Sequence, residues 1–153
     1  MIRRILVPVD GSCHAEAALA AGIEIAEGLK AELEILCVGH FFPGFIGQMP
    51  AAGMAVEELE QETEREAQEI VAAALKRVPE SITVHSKAVI GHPVTLILEE
   101  IEKGKCDLVI MGRRGRSGVA AFFLGSVSQA VMHKSTVPVM VVHVCSAKNG
   151  AKK

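Results

Sequence analysis

Short aliphatic runs and longer amphipathic stretches alternate along this chain. Ile5-Leu6-Val7-Pro8-Val9 is an apolar run closed by Asp10-Gly11-Ser12, the pattern of a buried strand that leads into a turn. Ser12 is placed to cap a helix. The alanine-rich stretch to about Lys30 supplies that helix, with Leu19, Ile23 and Ala26 on one face and Glu16, Glu24 and Glu27 elsewhere. Leu33 to Val38 predicts a second strand. Val56, Leu59, Thr63, Ala67, Ile70, Ala74 and Val78 recur at steps of three and four, which predicts a long amphipathic helix. Ile82 to Val89 alternates as a third strand, and Pro93 opens a short helix carrying Val94, Ile97, Leu98 and Ile101. Leu108 to Met111 reads as a fourth strand, Ser126 to about Lys134 as a final helix, and Val137 to Val144 as a fifth strand.

Strands that are aliphatic throughout and separated by helices belong to a parallel sheet covered on both faces. The expected fold class is therefore α/β, a three-layer, doubly wound five-stranded parallel sheet of Rossmann-like type. Ligands of such sheets bind beyond the carboxyl ends of the strands, where strand order reverses.

Composition narrows the picture. The chain has 153 residues, 50% of them apolar, enough for one good core and too few for two ordinary domains. One domain is expected over 1–145, with 146–153 a disordered basic tail. The net charge of −2, with no run of five like charges, gives no footprint for nucleic acid. Ile35 to Val56 lacks Asp, Glu, Lys and Arg but holds Gly39, Pro43, Gly44, Gly47, Pro50 and Gly53, so a strand and loop are expected there, with no membrane insertion. The opening residues reach Pro8 and Asp10 before any long apolar stretch and do not read as a signal peptide. A cytoplasmic location is the expectation. Cys13, Cys37, Cys106 and Cys145 are scattered without zinc-ligand spacing, the usage of reduced thiols.

The chemistry collects in three loops at strand ends: Asp10-Gly11-Ser12, Val38-Gly39-His40, and the run from Met111 through Gly112, Arg113, Arg114, Gly115, Arg116 and Ser117 to Gly118. In the third, glycines let the backbone turn and present N–H groups to an oxyanion. Gly125 and Ser126 then open a helix, whose N-terminus carries about half a positive charge and free donors. Ser126 and Ser128 can add hydroxyls. Neither the Walker loop nor the dinucleotide fingerprint occurs.

Gly112-x-x-Gly115, nine residues, then Gly125-Ser126 resembles the signature of the nucleotide-binding branch of the universal stress protein family. The likeness extends to Ile5 through Ser12, to Cys106 through Gly112 and to Val137 through Val142, and so covers the chain nearly to Val144. It implies an adenine nucleotide alpha hydrolase-like fold. Together with Ser128 as a hydroxyl donor and Arg113 as a cation that could neutralise phosphate, the candidate nucleotide site is Pro8, Val9, Asp10, Val38, Met111, Gly112, Arg113, Gly115, Gly125, Ser126, Val127 and Ser128. In that site Val9 and Val38 give backbone contacts to adenine, and Asp10 approaches the ribose or phosphates. Met111 and Gly112 run along the ribose, while Gly115, Gly125, Ser126 and Val127 hold the phosphates. The implied ligand is ATP, or AMP or ADP, and Mg²⁺ would reconcile Asp10 with phosphate. The resemblance also implies a homodimer through Val137 to Val144, an aliphatic edge strand. The chain departs from the family pattern at Arg113, Ala120 and Ala121, which leaves the phosphate state open.

Function stays open at this level among a stress-response regulator that binds nucleotide, a slow ATPase or autophosphorylating enzyme, and an adaptor for a membrane transporter or kinase. No Gly-x-Ser-x-Gly elbow supports a hydrolase triad. All five phenylalanines (Phe41, Phe42, Phe45, Phe122, Phe123) fall in loops on the ligand side, as an apolar lid, a docking patch or simple loop anchors. Cys13 and His14 stand at the start of the first helix, where a thiol pKa can be lowered; solvated positions explain them as well.

Overall fold

The computed structural model describes residues 1–40, 56–114 and 124–144. Gly115, Arg116, Ala120, Ala121, the phenylalanines, Cys145 and the expected tail lie outside the described residues. The elements are β1 (Arg4–Val9), α1 (Cys13–Leu29), β2 (Glu32–Gly39), α2 (Val56–Leu75), β3 (Val84–Ile90), α3 (Pro93–Lys103), β4 (Leu108–Gly112), α4 (Ser126–Lys134) and β5 (Val139–Val142).

Local chemistry sets the helix ends. The Ser12 hydroxyl accepts the Ala15 N–H at 3.2 Å and caps α1. Lys30 ends that helix in the left-handed region at φ 55°, returning its N–H to Ala26 and Glu27. Pro93 starts α3, where its missing N–H costs nothing.

Every strand pairing is parallel, and the order across the sheet is β3-β2-β1-β4-β5. Alternate residues of β1 feed two cores. Ile5, Val7 and Val9 pack with Ala15, Leu19 and Ala67 under α1 and α2. Leu6 packs with Ile97, Ile101, Val109 and Val131 under α3 and α4. The chain steps outward from β1 to β3, then returns to place β4 on the other side of β1. That reversal opens a crevice at the carboxyl ends of β1 and β4.

Two strands begin later than expected. The fifth strand, expected over Val137 to Val144, pairs with β4 only from Val139 to Val142. Its ladder stops where β4 stops, at Gly112, and Pro138 has no N–H to extend it downward. Ile82, expected to open the third strand, donates its N–H to the Pro79 carbonyl at 3.0 Å and plugs the core at 7% exposure. Pairing with β2 begins only at Val84. Among the described residues no helix is long and apolar enough to cross a membrane.

Candidate functional site

The crevice holds a cavity of about 700 Å³. Pro8, Val9 and Asp10 enter it from β1, Val38 from β2, Met111 and Gly112 from β4, and Gly125, Ser126, Val127 and Ser128 from the start of α4. Segments far apart in the chain therefore meet in one wall, as the glycine spacing and strand-end rule together require. Gly115 lies outside the described residues. Arg113 does not line the cavity, whereas Arg114 does.

Main-chain bonds explain what Arg113 does. Its N–H donates to the Val142 carbonyl at 3.0 Å, and its carbonyl accepts the Gly125 N–H at 2.8 Å. The Ser128 hydroxyl donates to the Gly112 carbonyl at 2.8 Å and reaches the Arg113 carbonyl at 3.4 Å. Ser128 is buried, so the proton expected to reach a phosphate is committed to the backbone. Its role is to position α4 against β4.

That positioning exposes the helix terminus. Gly125, the N-cap of α4, has no side chain to close the helix end, and the first intrahelical bond runs from Gln129 N–H to the Gly125 carbonyl at 2.9 Å. The N–H groups of its first turn therefore face the cavity end with the positive pole of the helix behind them. An anionic group is the natural complement.

Gly112 is needed for a second reason. A Cβ there would lie 2.6 Å from the carbonyl carbon of His14 and 2.7 Å from its oxygen. The end of β4 thus presses on the first turn of α1, and only glycine permits the approach. Asp10 is similarly tied to local structure. Its Oδ1 accepts the Ser12 N–H at 2.9 Å in an Asx turn. The second carboxylate oxygen is not required by that turn.

The opposite flank comes from residues that the sequence pattern did not single out. Thr63 and Glu66 of α2 line the cavity beside Gly39 and His40. A Cβ on Gly39 would meet Thr63 Cγ2 at 2.9 Å, so α2 sits close over the end of β2. His40 stacks edge-on with His92 at 6.4 Å between ring centroids. Burial, then the neighbouring His92, pushes the His40 imidazole below its ordinary pKa. The ring is thereby held neutral over more of the pH range. Glu66 occupied the polar face of an amphipathic helix, a pattern that signals solvent and conceals a cavity wall.

Among the described residues, no group of three or more His, Cys, Asp and Glu side chains could hold a metal ion. The arrangement suits a ligand with a flat, partly apolar body between β1 and β2 and an anionic end at α4. Mg²⁺ would fit here only as a companion of phosphate, with Asp10 as a carboxylate ligand.

Comparison with known proteins finds relatives in sequence and in fold. The model of the universal stress protein family matches residues 1–143. The chain is 33% identical over 143 residues to universal stress protein MJ0531 of Methanocaldococcus jannaschii, across 93% of this chain and 82% of that protein. It is 31% identical over 147 residues to universal stress protein YxiE of Bacillus subtilis, across 93% and 99%. Among solved structures it is similar to the hypothetical protein MJ0577, with TM-score 0.81 and 28% identity over 96% of this chain and 99% of that one. A universal stress protein in complex with cAMP is similar with TM-score 0.70 and 25% identity, over 94% and 99%.

Proposed function

This chain belongs to the universal stress protein family, and from that premise we propose that it binds an adenine nucleotide and acts as a stress-response regulator through occupancy of its site. The observation that carries the proposal is the cavity wall, where the ends of β1, β2 and β4 meet the N-terminus of α4 at Gly125. Adenine would lie against the backbones of Val9 and Val38, ribose along Met111 and Gly112, and phosphate at Gly125, Ser126 and Val127. The cAMP-bound neighbour supports an adenine ligand. Asp10 would accept a ribose hydroxyl or, through Mg²⁺, face the phosphates. ATP, ADP and AMP all suit this arrangement, and Arg114 lines the same wall.

We further infer that the protein forms a homodimer through β5. This strand is an edge of the sheet, Met140 is exposed on it, and an aliphatic edge invites pairing with a second copy. The action is proposed to take place in the cytoplasm.

Denaturing freshly purified protein and identifying the released small molecule by mass spectrometry tests nucleotide retention. An adenine nucleotide is expected. Protein that releases none, and takes up none of ATP, AMP or cAMP when these are added, would overturn the proposal. Sustained release of inorganic phosphate from ATP would replace the regulatory reading with an enzymatic one.

A further inference from the structure

At the end of the sheet opposite the cavity, β2 carries a carboxyl group into the core. Glu34 is 2% exposed and Glu100, on α3, is 7% exposed. Burying carboxylates is costly unless each is paired. The cations nearby do not suffice for both. Lys87 of β3 donates to Glu100 Oε1 at 2.6 Å. Arg4 of β1 gives Nε and Nη2 to Glu32 Oε2, at 3.2 and 2.6 Å, and Nη1 to the Gly104 carbonyl at 3.0 Å. His85 of β3 also faces Glu32, with 3.4 Å between Nε2 and Oε2. Glu34 Oε1 is buried with no hydrogen-bond partner.

We propose that Glu34 and Glu100 form a proton-binding site, in which Glu34 holds the proton as a neutral acid while Glu100 keeps the ion pair with Lys87. Charge counting leads there: two buried carboxyls share one ammonium. The groups that face Glu34 are Arg4 from β1, His85 and Lys87 from β3, Glu100 from α3, and Cys106 at the entry to β4, with Glu32 two residues back on the same face of its strand. Burial, then the Glu100 carboxylate, raises the Glu34 pKa above its ordinary 4.5, against the smaller opposing pull of Lys87, His85 and Arg4. The same buried surroundings push the Cys106 thiol up to about 12.

A carboxyl raised in this way binds its proton more tightly in the folded chain than in the unfolded one. Its stabilisation is complete below about pH 4.5 and is lost as pH rises through the folded value. The lower end of the sheet therefore responds to alkalinisation, and it does so without any ligand in the cavity.

Infrared spectra of the full chain, with urea unfolding followed between about pH 5 and pH 8, test the site. Wild-type protein is expected to show a protonated-carboxyl band above the ordinary carboxylate range, absent from Glu34→Gln. Relative to Glu34→Gln, its folding constant should fall by up to about tenfold per pH unit through the titration. Equal pH dependence and identical bands in the two proteins would overturn the proposal. Glu100→Gln supplies an independent check should Glu34→Gln not fold. It frees Lys87 for Glu34, so the band should vanish at lower pH than in wild type, and an unmoved band would contradict the shared site.

Discussion

The Ser128 hydroxyl donates to the Gly112 carbonyl at 2.8 Å, so the first turn of α4 is fastened to the last residue of β4. This bond fixes where the helix N–H groups point. Ser128→Ala leaves the Gly112 carbonyl without that partner, at a cost of about 1–3 kcal/mol. Urea unfolding should record the loss, and nucleotide affinity should weaken with it as the helix end loses its register. A variant as stable and as tightly binding as wild type would show that the bond positions nothing.

Asp10 has two separable roles. Asn retains an oxygen for the Ser12 N–H that Asp10 accepts at 2.9 Å but carries no charge. Asp10→Asn should therefore unfold within about 0.5 kcal/mol of wild type. Its nucleotide affinity should drop by roughly tenfold or more, because a charge-assisted hydrogen bond of about 1.5–3 kcal/mol is weakened. Calorimetric titration separates these outcomes; unchanged affinity would reduce Asp10 to a turn residue.

Much of the fold and of the candidate cavity wall is legible in the sequence, for a physical reason. Buried parallel strands read as unbroken aliphatic runs, and glycines at strand ends mark places where backbone must approach something closely. At Gly112 that something is His14 of α1, a contact that depends on strand order and has no local signal. Thr63 and Glu66 escaped because helix periodicity places Thr63 on the packed face and Glu66 on the solvent face and cannot say which position on either face borders a cavity. Glu34 escaped for the opposite reason. A glutamate in an apolar run looks like a strand-edge residue, and only the packing of α3 over β2 buries it.

Val141 is positioned to test the proposed dimer. The carbonyls of Pro138 and Val142 accept from Val109 and Arg113, so with the two-residue alternation of a strand the main-chain groups of Val141 face away from β4. Val141→Pro should remove an outward donor while the β4 ladder survives. Size-exclusion chromatography is expected to show a monomer that remains folded by circular dichroism. A folded variant that elutes as the wild-type dimer would refute pairing at this edge.

Cysteine reactivity should divide by burial. Cys13 is exposed, whereas Cys37 and Cys106 are buried, and Cys106 is held protonated by a pKa pushed up to about 12. Brief alkylation near pH 8, followed by peptide mass spectrometry, should label Cys13 and spare Cys106 until denaturant is added. Labelling of both at similar rates in the native protein would contradict the packing of Cys106 beneath α3.

The central claim concerns where a nucleotide sits, and amide chemical shifts during an ATP titration of ¹⁵N-labelled protein test it most directly. Shifts are expected at Val9, Val38, Gly112, Gly125, Ser126 and Val127, with little change at Arg4, Glu32 and Glu34 toward the far end of the sheet. Saturating ATP that leaves the amides of Gly112, Gly125 and Ser126 unmoved would contradict the account.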